Sequence, residues 1–95
     1  MQKKIEHSRE LLAGLCVEDF GRIAVNARSL TQITEEQWIG VESEQYRMHL
    51  KNFRFATAEL ERLANEKNID GASLAYLQMT MSCIDCHKHL RRREK

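Results

Sequence analysis

The sequence predicts an all-α protein: an antiparallel up-down-up-down four-helix bundle forming a single domain over residues 1–95. Three observations lead there. Apolar residues recur at three- and four-residue spacing almost throughout, and period-two alternation is scarce. Proline is absent and glycine occurs only four times in 95 residues, so little in the chain interrupts a helix. The amphipathic stretches are joined by short links, which suit antiparallel neighbours.

A first helix is expected over residues 2–15, with Ile5, Leu12 and Leu15 on one stripe and Leu11 beside it. Gly14 falls where a helix stops cheaply. Asp19 reads as the N-cap of a second helix with Phe20, Ile23, Ala24, Ala27 and Leu30 inward. Residues 32–43 are the least regular. There Thr34, followed three residues later by Gln37, makes a capping-box pattern, and a separate short turn is expected to carry Trp38 over the end of the bundle. A third helix is expected from near Ser43 to about Asn65, with Tyr46, Leu50, Phe53, Ala56, Leu60 and Leu63 as its stripe. Asn65-Glu66-Lys67-Asn68 breaks the pattern. Asp70 then caps a fourth helix whose stripe is Leu74, Leu77, Met81 and Ile84. The tail Arg91-Arg92-Arg93-Glu94-Lys95 is expected as a solvated basic helix end that suits the macrodipole, with a docking patch for an acidic partner as the alternative.

Composition removes several function classes. Fifteen Lys and Arg against fourteen Asp and Glu give a net charge of +1, too balanced for a nucleic-acid-binding domain. No apolar run approaches a membrane span, so no membrane insertion is expected. Met1-Gln2-Lys3-Lys4 runs straight into charged amphipathic sequence, so any leader is expected to lie outside this chain. Three cysteines cannot all pair within one chain, which argues against a disulfide framework. A 95-residue core is also thin unless something besides side chains fills it.

Cys83-Ile84-Asp85-Cys86-His87 is the sharpest signal. C-x-x-C-H is the attachment pattern of c-type haem. On a helix, residues three apart share a side on neighbouring turns, so both thiols can reach the two vinyl groups of one macrocycle. The next residue brings an imidazole under the iron, making His87 the proximal axial ligand. Two other readings use the same residues. A thioredoxin-type pair would sit at a helix N-terminus after a strand, whereas these cysteines lie more than ten residues into a helix. A zinc site would need a second ligand pair at recognisable spacing, and Cys16 and His49 are scattered.

A four-helix chain with this motif late in its last helix resembles the cytochrome c′ family, low-spin relatives included. The carriers of the resemblance are Cys83 to His87 with Arg91 four residues after the histidine, Tyr76 and the alanines early in the fourth helix, Asp19-Phe20, and Asn68-Ile69-Asp70-Gly71. The first helix and its link to the second are shorter than in usual members. The resemblance implies one covalent haem c on the C-terminal helix, with a methionine of the first helix as sixth ligand in six-coordinate members. Members with an apolar residue there are five-coordinate and bind NO and CO. It also implies pairing, as a homo- or heterodimer, through helices 1 and 2, burying the exposed member of the Leu11/Leu15 and Phe20 set.

In an antiparallel bundle the start of the first helix lies level with His87, so Met1, Ile5 and Ser8 are expected to face the haem from the distal side. Met1 is the expected distal ligand, with His7 and Cys16 as alternatives. His7 lies off the stripe. Cys16 is fifteen residues from Met1, about 22 Å along a helix at 1.5 Å per residue; a small buried hydrophobe or an intermolecular disulfide are its other roles. His89 is rotated about 200° from His87 and is expected at the surface. Met79 and Met81 are expected as core fillers, Tyr76 and Phe53 either at the edge of the macrocycle or in the bundle core, and Arg91 beside His87, either near a propionate or the haem edge or simply exposed. The expected function is one-electron transfer, Fe(III)/Fe(II), to a redox partner protein, with NO or CO binding as the alternative and no enzymatic activity. Thioether attachment happens outside the bacterial cytoplasm, so a periplasmic or otherwise extracytoplasmic location follows.

Overall fold

In the computed structural model, residues 2–38 and 43–93 are described, with side chains for 3–37 and 43–88. The helices are α1 (Gln2–Cys16), α2 (Phe20–Trp38), α3 (Glu44–Asn65) and α4 (Ile69–Arg93). Each packs on the next, and α1 meets α4 across the remaining side, which closes a four-helix bundle. Neighbours run antiparallel: His7 faces Asn26 while Glu10, further along α1, faces the earlier Arg22. Likewise Thr31 meets Thr57 and Glu35 meets the earlier Arg54.

The α1–α2 and α3–α4 links are as short as expected, and each uses a residue in the left-handed region. Glu18 (φ 53°) ends α1 and Lys67 (φ 58°) ends α3. In each case the following amide reaches back five residues, Asp19 N to Gly14 O at 2.9 Å and Asn68 N to Leu63 O at 3.0 Å. This is the Schellman stop, made here without glycine. Gly14 serves a different purpose from the helix stop its position suggests. It is buried, and a Cβ there would lie 3.0 Å from Ile23 Cγ1, so its hydrogen lets α1 and α2 approach closely.

Asp19 caps α2 as expected, its Oδ1 accepting from Arg22 N at 3.1 Å. Ser43 caps α3 by accepting from Tyr46 N. Two other expectations are corrected. The cap of α4 is Asn68, whose Oδ1 accepts from Gly71 N at 2.9 Å, and Asp70 lies within the first turn. Thr34 starts no separate helix. It is fully buried inside α2, and its hydroxyl donates to Leu30 O at 2.8 Å. That local bond satisfies the hydroxyl without a cap, so the helix runs on to Trp38.

The core joins Leu11, Ile23, Ala27, Leu30, Phe53, Ala56, Leu60, Ala64, Ala72, Ala75 and Met79. The stripes read for α2 and α3 are those that pack inward. For α4 the expectation is inverted: Leu74, Leu77, Met81 and Ile84 are all exposed. The inward face carries Ala72, Ala75, Tyr76, Met79 and Cys83 instead. Small alanines let α4 lie close to its neighbours, and the motif cysteine extends the same face. Leu11 is fully buried in the chain's own core, with Leu15 and Phe20 packed against it. None of the helix described is long and apolar enough to cross a membrane.

Candidate functional site

Between α1, α3 and α4 the bundle encloses a cavity of about 270 Å³. Cys83, Cys86 and His87 line it from α4, together with Tyr76 and Met79. Ile5, Ser8 and Leu12 face them from α1, and Tyr46, His49, Leu50 and Phe53 come from α3. The helical period explains the α4 wall. Positions 76, 79, 83 and 86 follow one another at three- and four-residue steps, and 87 lies four after 83, so one side of the helix presents two thiols and an imidazole. Ile5 and Leu12 remain about half exposed on the opposite wall. Along this cavity α1 and α4 stand apart, touching lightly through Tyr76 and Ser8, whose hydroxyls are 3.4 Å apart.

Among the sequence-expected site residues, Cys83, Cys86, His87, Ile5 and Ser8 are thus brought to one space. Met1 lies outside the described residues, as does the side chain of Arg91. His7 turns to α2, its Nδ1 2.8 Å from Asn26 Oδ1. Cys16 is exposed at the far end of α1. Neither His7 nor Cys16 lines the cavity. Phe53, Tyr76 and Met79 line it as well as packing the core, whereas Met81, expected as a core filler, is exposed.

Sequence reasoning passed over Lys4, Gln37 and His49 as lining residues, and read Tyr46 and Leu50 only as core. The signal for Tyr46 and Leu50 was present in the α3 stripe. His49 widens that stripe by one position. Lys4 and Gln37 carry no local sign, because a long polar side chain beside an apolar stripe ordinarily reaches solvent. Lys4 instead bends inward, its ammonium 4.7 Å from the centre of the Phe53 ring. Burial pulls its pKa down, and the nearby Cys83 and Cys86 oppose that shift.

The chemistry of the thiols follows from the same setting. Burial pushes Cys83 and Cys86 up, while the Lys4 charge partly counters it. They therefore stand as protonated thiols at neutral pH, unlike the low-pKa thiolate of a redox pair at a helix N-terminus. Tyr46 is also pushed up, chiefly by burial and secondarily by Cys86. Among the described residues, no three His, Cys, Asp or Glu side chains are grouped to hold a bare metal ion. Iron here would need a macrocycle to supply most of its ligands.

The residues present fit such a macrocycle on two counts. The lining is mainly apolar and aromatic, with two thiols and one imidazole on a single wall. Ser82 Oγ and Gln37 Oε1, both on the lining, are buried without a hydrogen-bond partner among the described residues. Such orphans are uncommon in a finished site. In volume the cavity falls short, slightly below the ~300–1,000 Å³ of cofactor pockets. Lys4 occupies part of it, and its flexible stem can swing the ammonium into water and enlarge it. Among protein families, curated proteins and solved structures, none matches this chain.

Proposed function

We propose that the cavity holds one haem c and that the chain is a one-electron carrier. The observation that supports this most strongly is the shared wall: both C-x-x-C-H thiols and His87 open onto one apolar cavity faced by α1 and α3. When bound, the haem supplies the redox chemistry through its Fe(III)/Fe(II) couple. Cys83 and Cys86 would hold it by thioethers, and His87 would supply the proximal imidazole. Ile5, Leu12, Leu50, Phe53 and Met79 keep water from its faces. Lys4 and Arg9, both on the lining, supply positive charge suited to propionate carboxylates.

Met1 is proposed as the distal ligand from the N-terminal end of α1. Sulfur–histidine ligation favours the ferrous state, which suits an electron carrier. This reading includes an unidentified redox partner protein and an extracytoplasmic location, and it follows the resemblance to the cytochrome c′ group. The alternative, NO or CO binding at an open distal site, draws on a different observation. The described residues of α1 on the lining include apolar Ile5 and Leu12 and the weakly ligating Ser8. An absorption spectrum separates the two. Methionine ligation gives a low-spin ferric spectrum with the weak far-red band of an iron–sulfur bond, lost in Met1→Ala. A high-spin ferric spectrum, or rapid CO binding to reduced protein without ligand displacement, would overturn the Met1 assignment and leave the gas-binding reading.

A further inference from the structure

The exposed stripe of α4 is a surface in its own right. Leu74, Leu77, Met81 and Ile84 are 42–68% exposed, and they follow one another at steps of three, four and three. That is the seam spacing by which one helix packs on another. Asp70 lies four residues before the seam and Lys88 four residues after it. Both are exposed, and neither is ion-paired within the chain among the described residues. From Asp70 to Lys88 the steps therefore read four, three, four, three, four, the same in either direction.

A palindromic seam is complementary to itself turned end for end. Place two copies antiparallel about a two-fold axis level with Met79. Leu74 then meets Ile84 of the second copy, and Leu77 meets Met81. At both ends Asp70 meets Lys88, so opposite charges close the seam. Gln78 and Thr80 flank the axis, so no like charges meet there. Phe55, exposed on α3, lies beside Met81 across a groove that Gln78 and Asp85 also line. It adds an aromatic anchor near the centre of the patch, where such side chains contribute most. A parallel pairing would set Asp70 against Asp70 and Lys88 against Lys88. The charges thus select orientation as well as partner.

We infer that the chain forms an isologous homodimer through the outer face of α4, antiparallel about the level of Met79. The four apolar residues of the seam do not line the cavity, whose lining meets this side of the bundle at Thr80 and, through the Phe55 groove, at His49 and Ser82. This dimer differs from pairing through α1 and α2, where Leu11 is already buried in the monomer core. From Asp70 to Lys88 the contact is about 27 Å long at 1.5 Å per residue. An interface of that length lies near the small end of specific ones, about 1,200 Å² in total, so a dissociation constant on the order of micromolar is expected.

Sedimentation equilibrium of the purified full chain over a range of concentrations tests this, with far-UV circular dichroism confirming that each variant stays helical. Leu77→Glu places a charge on an exposed position, so folding is retained while dimerisation weakens by about tenfold or more. Asp70→Lys alone weakens the dimer a few-fold, about what an exposed ion pair contributes. The exchange Asp70→Lys with Lys88→Asp restores it, since each new charge meets its opposite on the second copy. A chain that stays monomeric up to millimolar concentration overturns the proposal. So does a dimer indifferent to Leu77→Glu, or one weakened further by the double exchange.

Discussion

Leu11 and Leu12 are adjacent on α1 and differ in one respect that a haem site would change. Leu11 is 0% exposed in the core, while Leu12 is 50% exposed on the cavity wall. Full burial of a leucine side chain is worth about 1.5–3 kcal/mol. Half of that, about 1 kcal/mol, is already present for Leu12 in the haem-free chain, and the other half, about 1 kcal/mol, is available only when something covers the wall. Leu12→Ala is therefore expected to cost about 1 kcal/mol without haem and about 2 kcal/mol with it. Leu11→Ala serves as the control. It opens a core cavity and costs about 3–5 kcal/mol in both forms. The haem-free form is made with Cys83→Ser and Cys86→Ser, and stabilities come from urea unfolding or thermal melts. For a chain of this size 1 kcal/mol shifts Tm by about 4–8 °C, so the difference is readable. Equal cost of Leu12→Ala in the two forms would refute the assignment of that wall to the haem.

Lys67→Gly is expected to raise stability by about 0.5–1 kcal/mol in a thermal melt, because glycine takes the left-handed stop of α3 without the Cβ penalty. Asn68→Ala should cost about 1 kcal/mol in the same assay through loss of the α4 cap, against a few tenths for Asp70→Ala at low protein concentration. Lys4 has a lowered folded pKa, chiefly from burial. The unfolded chain then binds its proton more tightly, so the associated penalty is present at neutral pH and is relieved as pH rises toward 10.5. Stability of the haem-free chain measured across that alkaline window should gain less with pH in Lys4→Met than in the wild type. An unchanged slope would show that the ammonium does not face the cavity.

Four helices, their order and most of their ends were legible because periodicity and caps are local. Asp19 and Ser43 announce their helices through side chains that have no other use. The α4 stripe misled for a physical reason: hydrophobic pattern reports apolarity, not direction. Leucines at 74 and 77 outweigh alanines at 72 and 75 on any such scale, yet the alanines permit close packing and turn inward. Thr34 misled because a threonine that bonds back to Leu30 resembles a cap until its surroundings are seen. The α4 wall of the site was legible because Cys83, Cys86 and His87 lie within five residues of one helix. Tyr46, His49, Gln37 and Lys4 come from three other helices, and only the tertiary fold brings them to the same cavity.

Whether Cys83 and Cys86 anchor a haem is read directly by intact-mass spectrometry of the chain expressed with haem-attachment machinery. The expected result is a mass increased by one haem that survives denaturation, with Cys16 alone open to alkylation. The unmodified mass, with Cys83 and Cys86 both alkylated under the same conditions, would contradict it.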